Sequence, residues 1–323
     1  MKRFSSILSV LIILGIAYWS FSDLKPSLSH KKTTSKTEFS LDNALHHLKN
    51  ISDKAHYVGT KEHKEVQNYI VDALQKMGLE TEIQARTQTT LKKGWIAATT
   101  TENILTRIKG SEDGKALLLL THYDANPHSS KGASDAGSGV VTILEGIRAY
   151  LAKNETPKND IIILISDAEE IGLLGAQAFV DGHPWSKDVG LVLNFEARGS
   201  GGPSYMLMET NGKNSTLLTE FLAAKPNFPA ANSLMYSIYK KLPNDTDLTV
   251  FREDANINGF NFAFIGDHFD YHTAQYTYER LDRETLLHMD LEARSKRILF
   301  TILSIPTIYI FAPFIKMFPV GWA

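Results

Sequence analysis

Residues 117–140 read LLLLTHYDANPHSSKGASDAGSGV, residues 161–179 read IIILISDAEEIGLLGAQAF, and residues 191–199 read LVLNFEARG. Each stretch opens on an apolar run of strand length and closes on side chains that can ligate a metal. The first delivers His122 and Asp124, the second Asp167, Glu169 and Glu170, and the third Glu196; Asp135 opens the Gly-rich turn between the first two. Buried strands alternating with helical segments predict an α/β fold: a mostly parallel mixed β-sheet flanked by helices on both faces. In such sheets ligands bind beyond the carboxyl ends of the strands. An imidazole and several carboxylates delivered there suit a hard or borderline divalent cation.

Outward from these strands, residues 41–48 and 64–77 carry apolar side chains at helical spacing. Residues 79–84 and 102–108 read as strands, with 87–101, polar and Thr-rich, as a hairpin loop between them. Further helices are expected over 140–151, 171–180, 215–224, part of 225–242, and 284–297. Further strands are expected over 189–195, 205–209 and 259–265, with 245–247 in a loop and 266–282 irregular. No internal repeat or domain boundary interrupts residues 41–297.

Residues 4–22 are uncharged and follow Lys2 and Arg3, with Tyr18 and Trp19 at the far end. That length spans a bilayer, and the aromatic pair sits where an interfacial belt belongs. The length favours an uncleaved signal-anchor over a cleaved signal peptide. Residues 1–24 are therefore expected to contact membrane lipid, with Lys2 and Arg3 cytoplasmic and the domain on the exported side, periplasmic, extracellular or luminal. Residues 25–40, rich in Ser, Thr and Lys, read as a tether. Residues 298–315 are uncharged but contain Pro306 and Pro313. They read as a second transmembrane or interfacial segment, although Arg294, Lys296 and Arg297 flank it on the domain side.

Lys and Arg number 34 against 36 Asp and Glu, so no basic surface for nucleic acid is expected. The absence of cysteine excludes thiolate metal sites, Cys nucleophiles and disulfides.

Taken singly, the site residues are ambiguous. His122-x-Asp124 fits a ligand histidine backed by a carboxylate, and equally a hydrogen-bonded loop histidine. Asp135 could bridge two cations or simply cap a helix, a role Ser138 could also take. Glu169 and Glu170 directly follow a buried strand and repel each other unless something positive lies near. One of them could bind metal while the other acts as general base. Glu196 adds a carboxylate and His272, in Tyr271-His272-Thr273, an imidazole.

The strings THYD, GASDAGSGV, SDAEEIGLLGA, NFEARGSGG and YHT, in this order and spacing, resemble the zinc-dependent peptidases of family M28. HPWSKDV, AFIGDHFDYHT and the apolar ends are similar to its membrane-bound branch, the endoplasmic-reticulum and vacuolar membrane proteases. The resemblance implies two zinc ions per chain and removal of N-terminal residues from peptides with a free N-terminus. It implies metal ligation by His122, Asp135, Glu170, Glu196 and His272, with Asp135 bridging, and a general base at Glu169. Asp124 would orient His122, while Arg198, Asp247 and Tyr271 become candidate substrate contacts. Two alternatives remain within the same scaffold: a single-zinc glutaminyl cyclase-like acyltransferase and a non-catalytic binding module. One departure bears on the metal: where relatives read HTxxDT, this chain reads His272-Thr273-Ala274-Gln275-Tyr276-Thr277. If the missing Asp orients the histidine, metal binding is expected to weaken by about 10–100-fold unless Asp267, Asp270 or Asp282 takes its place.

Overall fold

The computed structural model describes residues 2–23, 35–92, 95–212, 214–224, 230–231, 233–242 and 245–289. The segment expected over 298–315, and the end of the helix expected over 284–297, lie outside them. Nine helices are seen among the described residues: α1 (Lys2–Asp23), α2 (Leu41–Ile51), α3 (Lys61–Lys76), α4 (Gly137–Leu151), α5 (Leu174–Gly182), α6 (Ser215–Ala224), α7 (Ser233–Tyr239), α8 (Asp247–Asp254) and α9 (Arg283–His288). Seven strands, β1 (Thr81–Lys92), β2 (Trp95–Ile108), β3 (Ala116–His122), β4 (Ile161–Ser166), β5 (Val189–Ala197), β6 (Tyr205–Glu209) and β7 (Gly259–Phe264), form one sheet in the order β1-β2-β4-β3-β5-β7-β6.

The sheet is parallel across its four central strands, β4, β3, β5 and β7, and antiparallel at both edges. Alternation along each central strand divides the core in two. Leu119, Ile163 and Phe195 pack on one face against α2, α3 and α4. Leu118, Leu120, Ile162 and Leu164 pack on the other against α5 and α8. Both faces are thus covered, as the near-continuous apolar runs require.

Residues 87–101 are not a loop. β1 and β2 pair continuously from Thr81↔Thr106 to Lys92↔Trp95, forming a long hairpin that projects past β4. Its threonines pair across the strands, as in Thr87 Oγ1 to Thr100 Oγ1 at 2.9 Å. Gln84 and Gln88 donate to the Ala178 carbonyl and the Asp181 carboxylate of α5. Helix α5 starts at Leu174 rather than 171, because the Glu169–Leu173 segment makes a turn with Leu173 left-handed (φ 62°). Residues 245–247 also differ from expectation: Asp247 is the buried first residue of α8.

α1 leaves its large apolar side chains exposed, among them Ile7, Leu11, Leu14 and Trp19. Among the described residues, no helix is long and apolar enough to cross a membrane.

At the amino end of β4, Asp160 accepts from the Gly110 amide (2.7 Å), Arg107 Nε (2.6 Å) and Lys109 Nζ (3.1 Å). Burial pushes its carboxyl up, but these donors prevail and hold it at about 2. A depressed folded value means stability that is present above about pH 4 and lost as pH falls toward 2. Asp160→Asn should cost about 1–2 kcal/mol at neutral pH. In urea unfolding of metal-free protein that cost should shrink by more than half near about pH 2.5. An equal cost at both pH values would show that the charge is irrelevant.

Candidate metal centre

The centre assembles where β3, β4 and β5 end, since parallel neighbours in register present their last residues together. His122 pairs with Ser166 across β3 and β4. Glu169 and Glu170 follow one short turn later, and Glu196 lies near the end of β5. Asp135 comes from the loop before α4. That helix packs so closely on the sheet that a Cβ on Gly139 would lie 2.6 Å from the Phe195 carbonyl oxygen. Neither Asp135 nor Ser138 caps α4: Ala136 stands at the N-cap without a side-chain bond, and the Ser138 hydroxyl donates to the Ser134 carbonyl.

His122 is fully buried, and its Nδ1–H donates to the Asp124 carbonyl at 3.0 Å. That bond leaves Nε2 as the free ligand atom. Nε2 lies 3.1 Å from Asp135 Oδ1, 3.6 Å from Glu196 Oε2 and 3.9 Å from Glu169 Oε2. On the opposite side, His272 Nε2 lies 2.9 Å from Glu170 Oε2 and 3.5 Å from Asp135 Oδ2. The two oxygens of Asp135 therefore face different imidazoles. His122, Asp135 and Glu196 form one donor triad, and Asp135, Glu170 and His272 another; within each, the ligand atoms lie within 4.8 Å of one another.

The electrostatics of the two triads are those of buried carboxylates crowded around two imidazoles. Burial drives Glu169 well above the usual carboxylate range; His122 opposes this and Glu196, Asp247 and Glu170 add to it. Burial and Asp135 push Glu170 up to about 7, against the pull of His272. Glu196 is raised by burial as well. Burial would lower both histidines, but the surrounding carboxylates raise His122 well above its ordinary value and His272 to about 9. Divalent charge placed among these carboxylates would offset their mutual repulsion and the cost of burying them. Among the described residues, Glu170 Oε1 is buried without a hydrogen-bond partner. Imidazole and carboxylate donors of this kind fit zinc.

Asp124 does more than stand behind His122. Its carboxylate accepts the Glu169 amide at 3.0 Å and the Glu170 amide at 3.2 Å, while Oδ1 lies 3.3 Å from His122 Nδ1. One side chain thereby fixes the turn that carries both glutamates. Asn126 donates to Glu170 Oε2 at 2.9 Å, and Asn194 to Glu196 Oε1 at 3.3 Å. Asp167 accepts from His63 (2.9 Å) on α3 and from the Glu102 amide (2.8 Å). These supporting contacts span up to 104 residues of sequence, so no local signal could have revealed them.

Of the three candidate substrate contacts, two line the cleft beside Asp135, Glu169 and Glu196, namely Arg198 and Tyr271. Asp247 does not. It is fully buried behind the site, bonded to Ser166 Oγ, with its carboxyl pushed by burial to about 7. Tyr276 is also fully buried, and among the described residues its hydroxyl has no hydrogen-bond partner. None of the three nearby aspartates replaces the missing carboxylate among the described residues. Asp270 is bonded to Ser200 and Arg280, Asp282 caps α9, and Asp267 has no bond to His272. His272 is held instead by Glu170 and by stacking on Tyr271, with ring centroids 3.6 Å apart. The Tyr276 carbonyl accepts the Ala133 amide at 3.3 Å, tying the His272 loop to the Asp135 turn.

The sequence profile of peptidase family M28 matches residues 103–295, which takes in His122, Asp135, Glu170, Glu196 and His272. A vacuolar membrane protease of Candida albicans is 32% identical over 288 residues, covering 88% of this chain and 33% of the relative. The chain spans about a third of the length of the curated relatives it matches in this way. Among solved structures, a glutaminyl cyclase from Porphyromonas gingivalis superposes with a TM-score of 0.61 at 20% identity, covering 77% of this chain and 94% of that one. A Zn-dependent exopeptidase from Parabacteroides distasonis superposes with a TM-score of 0.60 at 20% identity, covering 79% and 97%. At such identities these structures establish a shared fold.

Proposed function

The chain belongs to peptidase family M28, and on that premise we propose that it is a membrane-anchored, zinc-dependent exopeptidase of the aminopeptidase type. The observation that carries this reading is the pair of donor triads sharing Asp135, with Glu169 beside them on an open cleft. His122, Asp135 and Glu196 would hold one zinc; Asp135, Glu170 and His272 would hold a second. When bound, zinc supplies Lewis acidity and lowers the pKa of water at the site. Glu169 takes a proton from the attacking water and returns it to the leaving amine nitrogen. Asp124 holds the Glu169 backbone and so aims its carboxylate. The substrate is a peptide with a free N-terminus.

For the rest of the chain, α1 anchors the protein in lipid, residues 25–40 tether the domain of residues 41–297, and residues 298–315 make a second membrane contact. The domain lies on the exported side. Support for the anchor comes from the exposed apolar side chains of α1. The vacuolar membrane relative agrees with it.

The test is release of single N-terminal residues from short peptides by the purified full chain. Activity should vanish with a chelator and return with zinc. Internal cleavage alone would contradict the exopeptidase reading. Loss of ammonia from N-terminal glutaminyl peptides, with no amino acid released, would establish cyclase chemistry instead.

A further inference from the structure

We infer that Arg198 recognises a carboxylate on the substrate, supplied either by an acidic N-terminal side chain or by the α-carboxylate of a short peptide. The inference rests on the peptidase reading above and narrows its substrate class.

Arg198 follows Glu196 by two residues at the end of β5, and its amide still bonds the Phe264 carbonyl of β7 at 2.9 Å. Extended chain places positions two apart on one side, so the guanidinium enters the cleft next to the metal donors. It lies 4.6 Å above the Tyr271 ring. Stacking occupies one face of the group and leaves its N–H edges free. Among the described residues, Arg198 has no salt bridge and no side-chain hydrogen bond.

Four other arginines among the described residues are paired with carboxylates. Arg107 pairs with Asp160 and Asp188, Arg148 with Glu145, Arg252 with Glu209, and Arg280 with Asp270. Arg198 is half-buried, as Arg107 is, yet has no carboxylate partner. It is also the only Lys or Arg among the described residues lining the cleft. The carboxylates close by are committed elsewhere: Glu196 and Glu169 face His122, and Asp245 sits exposed at the rim without pairing to it. A preoriented guanidinium with unused donors is satisfied best by a planar anion, and a carboxylate matches its fork.

Both sources can be tested on the zinc-loaded full chain. One arm compares kcat/KM for glutamyl, glutaminyl and leucyl aminoacyl-coumarins; the other compares Ala-Ala with Ala-Ala-amide. Equilibrium binding of L-glutamate and of L-glutamine provides a readout that needs no turnover. The wild type should favour the carboxylate-bearing member by about tenfold or more in at least one arm, the size expected of a hydrogen bond to a charged group. Arg198→Gln should erase that preference, lowering the carboxylate-bearing member of the responding pair by about tenfold more than its neutral counterpart, and Arg198→Lys should restore part of it. An acidic side chain is the source if the glutamyl arm responds, and the α-carboxylate if the dipeptide arm does. Absence of a carboxylate preference in every assay would overturn the inference, as would an equal loss on all substrates in Arg198→Gln. The second result would mean that Arg198 holds a group common to every substrate. If nothing is hydrolysed but glutamate binding still depends on Arg198, the anion site stands and the peptidase reading fails.

Discussion

Glu169→Gln should leave zinc content and folding unchanged while lowering kcat by about 10²–10⁴-fold, the range a positioned general base contributes. The substitution keeps shape and removes only the capacity to take a proton. Glu169 is poised for that role. It sits at the cleft with Asp135 and Glu196, its amide is pinned by Asp124, and it lies farther from His122 Nε2 (3.9 Å) than the other two carboxylates do. Burial pushes its carboxyl well above the usual carboxylate range. Divalent charge beside it would reverse that and ready it as a base near neutral pH. Turnover in Glu169→Gln at the wild-type rate would remove Glu169 from the mechanism. Loss of metal in that variant would make it a ligand instead.

The second large effect concerns Asp135. Because its Oδ1 faces His122 and its Oδ2 faces His272, both donor triads contain it. Removing a ligand from one triad should cost one metal; removing the shared ligand should cost both. Asp135→Ala is therefore expected to hold almost no zinc after purification and to be inactive. Glu170→Ala, which affects one triad alone, should keep the zinc of the other. The folded state should survive in Asp135→Ala, since the core on either face of the sheet does not rest on this side chain. An Asp135→Ala protein that retains zinc at the wild-type level would show that the two triads do not depend on the shared carboxylate.

The strand ends were legible because apolar runs in a sheet buried on both faces leave little choice of structure, and their last residues must meet at one edge. His122, Asp135, Glu169, Glu170 and Glu196 could be gathered on that basis, and the ordered motifs resembling family M28 joined His272 to them and implied a role for each. The continuation of both strands through residues 87–101 was not legible. It projects beyond the sheet, so no buried face imposes alternation on its threonines; cross-strand hydroxyl pairs and α5 hold it instead. Asp247 could not be placed either, since its partner Ser166 lies 81 residues away. Tyr276 marked a departure from the family pattern, but the bonds of Asp270 and Asp282 to other groups became visible only in the folded chain.

The central claim is that two metals share Asp135, and zinc counting by mass spectrometry tests it most directly. Purified wild-type protein should carry about two zinc ions per chain, and His272→Ala about one. A single zinc in the wild type that persists undiminished in His272→Ala would contradict the account.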